Sequence, residues 1–215
     1  MNRLLLAILL LGATPSARAQ EPAGFDAKAA ALWRGVGAKV GWLPEDKRGW
    51  RLFQETRPDQ PALPAVRWPG GKPFEFGLIA SLPVPSGPFA FDLNRTNASG
   101  KELRELARFK NLEALDLDQT YVTDADLQEI AHLTSLKSLY IRYTKASDAG
   151  VKNLAGLTRL HTLGIGCSKI SDAALKHLAG MTDLESLDLC FTSVTGTGFE
   201  DLAGLKRLRH VSLDG

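Results

Sequence analysis

Proline and tryptophan are absent from residues 89–215, while residues 1–88 hold all 11 prolines and all four tryptophans, Trp33, Trp42, Trp50 and Trp68. A change this sharp predicts two differently built regions that meet near Ser86-Gly87-Pro88. Cysteine is scarce: Cys167 and Cys190 are the two in the chain, which excludes a disulfide scaffold and leaves the fold to its core. The two are 23 residues apart. That is one short of the repeat described below, so their side chains should aim differently and remain free thiols.

Long apolar runs are also missing. The longest, Leu4 to Leu11, is far short of the roughly 20 residues that cross a bilayer, so no membrane span is expected. It follows Met1-Asn2-Arg3 and precedes Ala17-Arg18-Ala19, the pattern of a signal peptide cut after Ala19. No cysteine stands near that cut to take a lipid. The expected location is therefore secreted or periplasmic, with residues 1–19 removed. Net charge disappears with them. The chain has 26 basic and 24 acidic residues, and without Arg3 and Arg18 the count is 24 of each. Such a balance lacks the basic footprint of a nucleic-acid binder.

What is present from Phe89 onward is repetition. Leu112, Leu136, Leu160, Leu184 and Leu208 fall at steps of 24 residues, and each opens a phrase such as Leu112-Glu-Ala-Leu115-Asp-Leu117. A hydroxyl follows at one fixed place (Thr120, Thr144, Ser168, Thr192), then an apolar residue (Val122, Ala146, Ile170, Val194). Phe91, Leu93, Thr96 and Ala98 fill the same slots one step upstream, in a degenerate first unit. Leu115-Asp116-Leu117 alternates as a strand with one buried face. Thr123 with Asp126, and Ser99 with Glu102, read as capping boxes of short helices. Gly156, Gly180 and Gly204 stand where those helices should stop as C′ residues. One strand and one helix cannot bury a core alone, but stacked units can.

These residues resemble the leucine-rich-repeat family, whose pattern is L-x-x-L-x-L-x-x-N/C/T-x-L. The Thr-x-Val-Thr-Asp-x-x-Leu extension is similar to 24-residue repeats of exported bacterial proteins and to the cysteine-containing class of ubiquitin-ligase adaptors. The resemblance covers residues 88–215, five units and a partial sixth. It implies an α/β solenoid, a curved parallel sheet with helices outside. Residues 20–87 then form a small α+β N-terminal cap over the first core layer. Within the cap, Asp26 to Val36 reads as a helix. Lys39–Leu43 pairs with Trp50–Gln54 as a hairpin, 58–73 is loop, and 74–82 is strand.

Strand period places outward, on the concave face, Asp92 and Asn94, Asp116 and Asp118, Tyr140 and Arg142, Gly164 and Gly166, Asp188 and Cys190, and Ser212 and Asp214. Tyr121, Tyr143 and Phe191 lie just past the strands. Carboxylates around a tyrosine and an arginine suit a polar, partly basic protein or peptide partner. Gly164 and Gly166 predict a notch in that face, walled by Tyr140, Arg142 and Asp188, where Gly164→Thr should be tolerated.

Other constellations carry less. The Thr/Ser row sits just after each strand, where hydroxyls bond backbone, and Asp124, Asp148 and Asp172 suit helix starts. Ser212, His210 and Asp188 are the best available triad, but residues two apart on a strand lie about 6.5–7 Å apart, too far for a ready Ser–His bond. Neither the four histidines nor the one carboxylate per unit has metal-ligand spacing, so no metal or cofactor is expected. The tryptophans, with Arg34, Arg51 and Arg67 nearby, offer the alternative of a glycan-binding surface. Finally, His210 to Leu213 forms a last strand with an unpaired edge, an invitation to self-association.

Overall fold

A computed structural model of the chain describes residues 21–44, 53–71 and 76–215. The expected signal peptide and Trp50 lie outside the described residues. The elements in order are α1 (Ala27–Gly35), β1 (Lys39–Pro44), β2 (Ala62–Arg67), α2 (Phe76–Ile79), β3 (Phe89–Asp92), a 3-10 helix (Gly100–Arg108), β4 (Leu112–Asp116), α3 (Asp124–Ile130), β5 (Ser138–Tyr140), α4 (Asp148–Asn153), β6 (Thr162–Gly164), α5 (Asp172–Leu175), β7 (Ser186–Asp188), a second 3-10 helix (Phe199–Leu202) and β8 (His210–Ser212). The strands form one eight-stranded sheet in sequence order. β1 and β2 are antiparallel, and every later neighbour pair is parallel.

The 24-residue step becomes strand register. Leu115, Leu139, Leu163 and Leu187 face one another across β4 to β7 and are all but inaccessible to water. Removing such a side chain from water contributes about 1.5–3 kcal/mol each, which is how the stacked units hold together. The hydroxyl row closes each turn: Thr96, Thr120, Thr144 and Thr192 donate to the carbonyl three residues back at 2.6–2.7 Å, and Ser168 does the same to Ile165.

The acidic row Asp124, Asp148, Asp172 acts between units rather than on its own helices. Asp124 accepts from the N–H and hydroxyl of Ser147 (both 2.7 Å), and Asp148 from those of Ser171 (2.8 and 2.6 Å). Asp172 gathers Thr195 N–H and hydroxyl with the N–H groups of Gly196 and Gly198. Those bonds, the Thr195 hydroxyl first, hold its carboxyl well below the usual range. The expected Thr123 box is present, with Asp126 accepting from Thr123 N–H at 2.7 Å. In the first unit Ser99 makes no cap bond and the side chain of Glu102 lies outside those described. Asp126 reaches back instead, to Gly100 N–H at 2.6 Å. The C′ expectation also needs correction: Gly156, Gly180 and Gly204 lie past the helix ends and are not at positive φ.

The cap departs further from expectation. α1 forms as read, with Asp26 accepting from Ala29 N–H at 2.6 Å. β1 pairs along its length with β2, inside the stretch expected to be loop; of its expected partner Trp50–Gln54, residues 50–52 lie outside the described residues and Gln54 bridges Trp42. Pro64 is tolerated opposite Trp42 because Trp42 turns its N–H and C=O to Gln54 instead (2.7 and 2.8 Å). Residues 76–79 are a helical turn, not a strand. β2 then runs parallel to β3, so the cap continues the repeat sheet. Trp33 seals the first layer, donating to Pro83 C=O (3.0 Å) with its ring centroid 5.7 Å from Phe91 and 6.1 Å from Phe109.

Candidate functional site

The sheet face opposite the main core begins dry. Ala65, Ala90 and Ala114 stand in register across β2, β3 and β4, and Leu43, Leu63 and Phe53 pack on them. The next row in register is Arg67, Asp92, Asp116, Tyr140, Gly164, Asp188 and Ser212. Two residues on along the chain come Asn94, Asp118, Arg142, Gly166 and Cys190.

Carboxylates in these rows first serve backbone. Asp92, Asp116 and Asp188 each accept from the N–H two residues ahead, at 3.1, 2.8 and 3.0 Å. Tyr140 has no carboxylate, and Asp118 of the preceding unit takes over, accepting from Arg142 N–H at 2.6 Å. Each acid then meets a different electrostatic fate. Asp92 is buried and pairs with Arg67 Nε (2.6 Å), whose guanidinium lies 5.0 Å over the Phe53 ring. Asp118 is buried beneath Arg142, which donates to its Oδ2 from Nε at 2.7 Å. The same guanidinium reaches past the glycine strand to Asp188 Oδ2, at 3.4 Å. Burial works against the charge of Arg142, but Asp118 foremost outweighs it and holds the group above its ordinary value. Asp116 is half-buried and touched by no basic side chain among the described residues. Burial, then the carboxylates of Asp118 and Asp92, push its pKa well up.

The expected binding row is therefore split. Asp92, Asp118, Tyr140, Gly164, Gly166 and Asp188 are buried, and they support the face rather than present themselves on it. Asn94, Asp116, Arg142 and Ser212 remain half-exposed. The expected notch is filled from within. A Cβ on Gly164 would stand 3.0 Å from the Tyr140 ring and 3.5 Å from the Arg142 stem. One on Gly166 would stand 2.8 Å from the carbonyl of Cys190 and 3.0 Å from Asp188 Oδ1. Something does approach the backbone closely there, and it is the protein's own Arg142, Tyr140 and neighbouring strand. Gly164→Thr is accordingly no longer a tolerated change.

Sequence reasoning named Arg67 only beside the tryptophans and missed its place on this face, because prolines on either side disguise β2, although Ala65-Val66-Arg67 does alternate. It also missed a backbone regularity. The turn after each strand holds one residue at positive φ: Arg95 (59°), Gln119 (55°), Tyr143 (55°), Cys167 (53°) and Phe191 (54°). Left-handed backbone costs an ordinary residue about 1–2 kcal/mol, and no asparagine or glycine relieves it in these five units. Cys167 and Cys190 are unpaired. The side chains of Ser212, His210 and Asp188 share no hydrogen bond, Asp188 being engaged by Arg142 and Cys190 N–H. Among the described residues no group of three His, Cys, Asp or Glu could hold a metal, and no helix is long and apolar enough to cross a membrane.

Strand register, hydroxyl row and helix placement together define a leucine-rich-repeat fold. A solved structure agrees in fold. An internalin (inlF) from Listeria monocytogenes matches 59% of this chain over 35% of its own, with a TM-score of 0.51 and 21% identity. Internalin C2 (inlC2) from the same organism matches 69% of this chain over 80% of its own, with a TM-score of 0.48 and 20% identity. The ectodomain of the Arabidopsis receptor kinase HAESA, solved with a peptide hormone, matches 58% of this chain over 25% of its own, at 0.46 and 21%. The chain thus spans about a third of the inlF structure and a quarter of the HAESA one. No family model and no curated protein matches the sequence.

Proposed function

We propose that the chain is a non-catalytic binding module, exported by a signal peptide cut after Ala19, whose concave face takes a protein or peptide partner. One observation supports this reading above the others. Over β2 and β3 the face is closed by Leu43, Leu63 and Phe53, whereas further along it Asp116 and Arg142 stay half-exposed. Asp116 and Arg142 are held there in place before any partner arrives, and charges fixed in advance lower the ordering cost of association. The glycan alternative has less support, because Trp33, Trp42 and Trp68 are buried, while Trp50 lies outside the described residues.

The test is affinity capture from the source cell's own envelope fraction, comparing the protein with its Asp116→Asn variant. A partner held at least tenfold more tightly by the parent protein is expected, about 1.4 kcal/mol. Equal retention by both, or capture of nothing above a blank support, would remove the concave face as the site. Recovered protein should begin at Gln20.

A further inference from the structure

The five residues at positive φ stand in single file along one edge of the concave face, one per strand. Glycine, asparagine or aspartate would adopt that backbone most readily, yet the edge carries arginine, glutamine, tyrosine, cysteine and phenylalanine. Their side chains are displayed rather than packed. Phe191 is 65% exposed and Tyr143 58%, and Tyr121, two residues past Gln119, is 63%. These are the three most exposed large apolar side chains among the described residues. Scattered singly they would need no explanation; gathered on one edge they mark a contact surface. The edge is also ordered from within. Arg95 Nε donates to Gln119 Oε1 at 2.9 Å.

Charge identifies the occupant. Just inside this edge lie five carboxylates, Asp92, Asp116, Asp118, Asp188 and Asp214, against two guanidiniums, Arg67 and Arg142. Both guanidiniums make their direct ion pairs with Asp92 and with Asp118 and Asp188, so among the described residues Asp116 and Asp214 have no basic side chain in direct contact, and Asp116 feels Arg142 only at a distance. The Tyr121 ring already carries the protein's own Lys145, 5.6 Å from its centroid. No such cation covers Tyr143 or Phe191 among the described residues.

Resting on the binding reading above, we infer that this edge docks an extended peptide segment bearing a lysine or arginine for Asp116 and two large apolar side chains for Tyr143 and Phe191. Spacing follows from the sheet. Strands lie about 4.8 Å apart and an extended chain advances about 3.3 Å per residue. Asp116 is in register with Tyr140, one strand over and three residues short of Tyr143, so the cation and the first apolar residue are about three positions apart. Tyr143 and Phe191 are two strands apart, so the apolar residues are about three positions apart.

The test is selection of a random nine-residue displayed peptide library on the purified protein. Recovered clones are then compared for binding to the protein, to Tyr143→Ser/Phe191→Ser and to Asp116→Asn. Both variants change solvent-accessible side chains, and circular dichroism with thermal melting confirms that they fold. Enriched clones should carry Lys or Arg with apolar residues at those spacings, and should lose at least tenfold in affinity on either variant. Clones that bind the Tyr143→Ser/Phe191→Ser protein unchanged would overturn the docking edge while leaving a concave-face binder in place. Enrichment of acidic peptides would overturn the charge assignment. Failure to enrich any clone over a blank support would remove both this inference and the binding reading.

Discussion

Arg142, in the turn after β5, and Asp188, in β7, are two strands apart, yet their side chains meet at 3.4 Å across the glycine strand between them. The reach is possible because Gly164 and Gly166 place no side chain in the path, and the Arg142 stem runs within 3.5 Å of where a Gly164 Cβ would stand. One guanidinium thereby neutralises carboxylates of two units, Asp118 and Asp188, both buried.

Removing that cation should be costly. Arg142→Met leaves two buried carboxylates uncompensated, and losing one partner of such a pair costs about 3 kcal/mol or more. Urea unfolding at neutral pH checks this. A loss under about 1 kcal/mol, the size of an exposed pair, would show the network to be ornamental.

Glycines divide into two kinds. Gly166→Ala drives a Cβ to within 2.8 Å of a backbone carbonyl, so the strand must shift, and a loss of about 1–3 kcal/mol is expected. At Gly156 an added methyl group would meet nothing within 4 Å, and φ is ordinary, so Gly156→Ala should gain about 0.4–1 kcal/mol through the unfolded state. Thermal melts of the two variants should move in opposite directions.

Asp116 sets a pH dependence. Burial first, then Asp118 and Asp92, raises its folded-state pKa, while in the unfolded chain it ionises in the ordinary carboxylate range. As pH climbs from that range through the folded value, the folded state holds a proton the unfolded state has lost, and stability falls; above it the loss is constant. Asp116→Asn keeps an acceptor for Asp118 N–H and removes the loss. It should melt higher than the parent protein at pH 8, with the difference shrinking towards pH 3. Asp92 and Asp118, shifted in the same direction despite Arg67 and Arg142, add to the slope that remains. A variant that melts lower at pH 8 would mean that Asp116 stabilises the free protein.

The inter-unit acids make a further prediction. Asp148→Ala leaves Ser171 N–H and hydroxyl without their acceptor, for an expected cost of about 1–2 kcal/mol, the range of a lost helix cap. Asp148→Asn, which keeps one acceptor oxygen, should recover part of it.

How far the sequence carries can be judged residue by residue. The period of 24 placed Leu115, Leu139, Leu163 and Leu187 in one register because core positions repeat with the chain. The hydroxyl row was legible for the same reason, since each Thr bonds a carbonyl only three residues away. β2 was not legible: proline density signals loop, and only the turning of Trp42 towards Gln54 makes Pro64 harmless. Period two placed Asp118 and Asp188 on the correct face but said nothing of depth, which is set by a guanidinium arriving from another strand. The positive-φ edge was hidden because tyrosine and phenylalanine give no local sign of left-handed backbone. The partners of Asp124 and Asp148 could have been found, since each precedes its serine by a constant 23 residues.

That constant offset has a thermodynamic consequence. A helix capped wholly from within would let each unit form alone, whereas here the starts of α4, α5 and the second 3-10 helix are each completed by a carboxylate from the unit before. Stability is then carried by coupling between neighbours, and the array should unfold with a cooperativity length of several units. Asp172 marks where that coupling changes character. It meets a turn through Thr195, Gly196 and Gly198 that leads to a 3-10 helix rather than an α-helix. Amide exchange in the turn and 3-10 helix that follow Thr195 should therefore outrun exchange in β4 to β6, a softer link in a chain of springs.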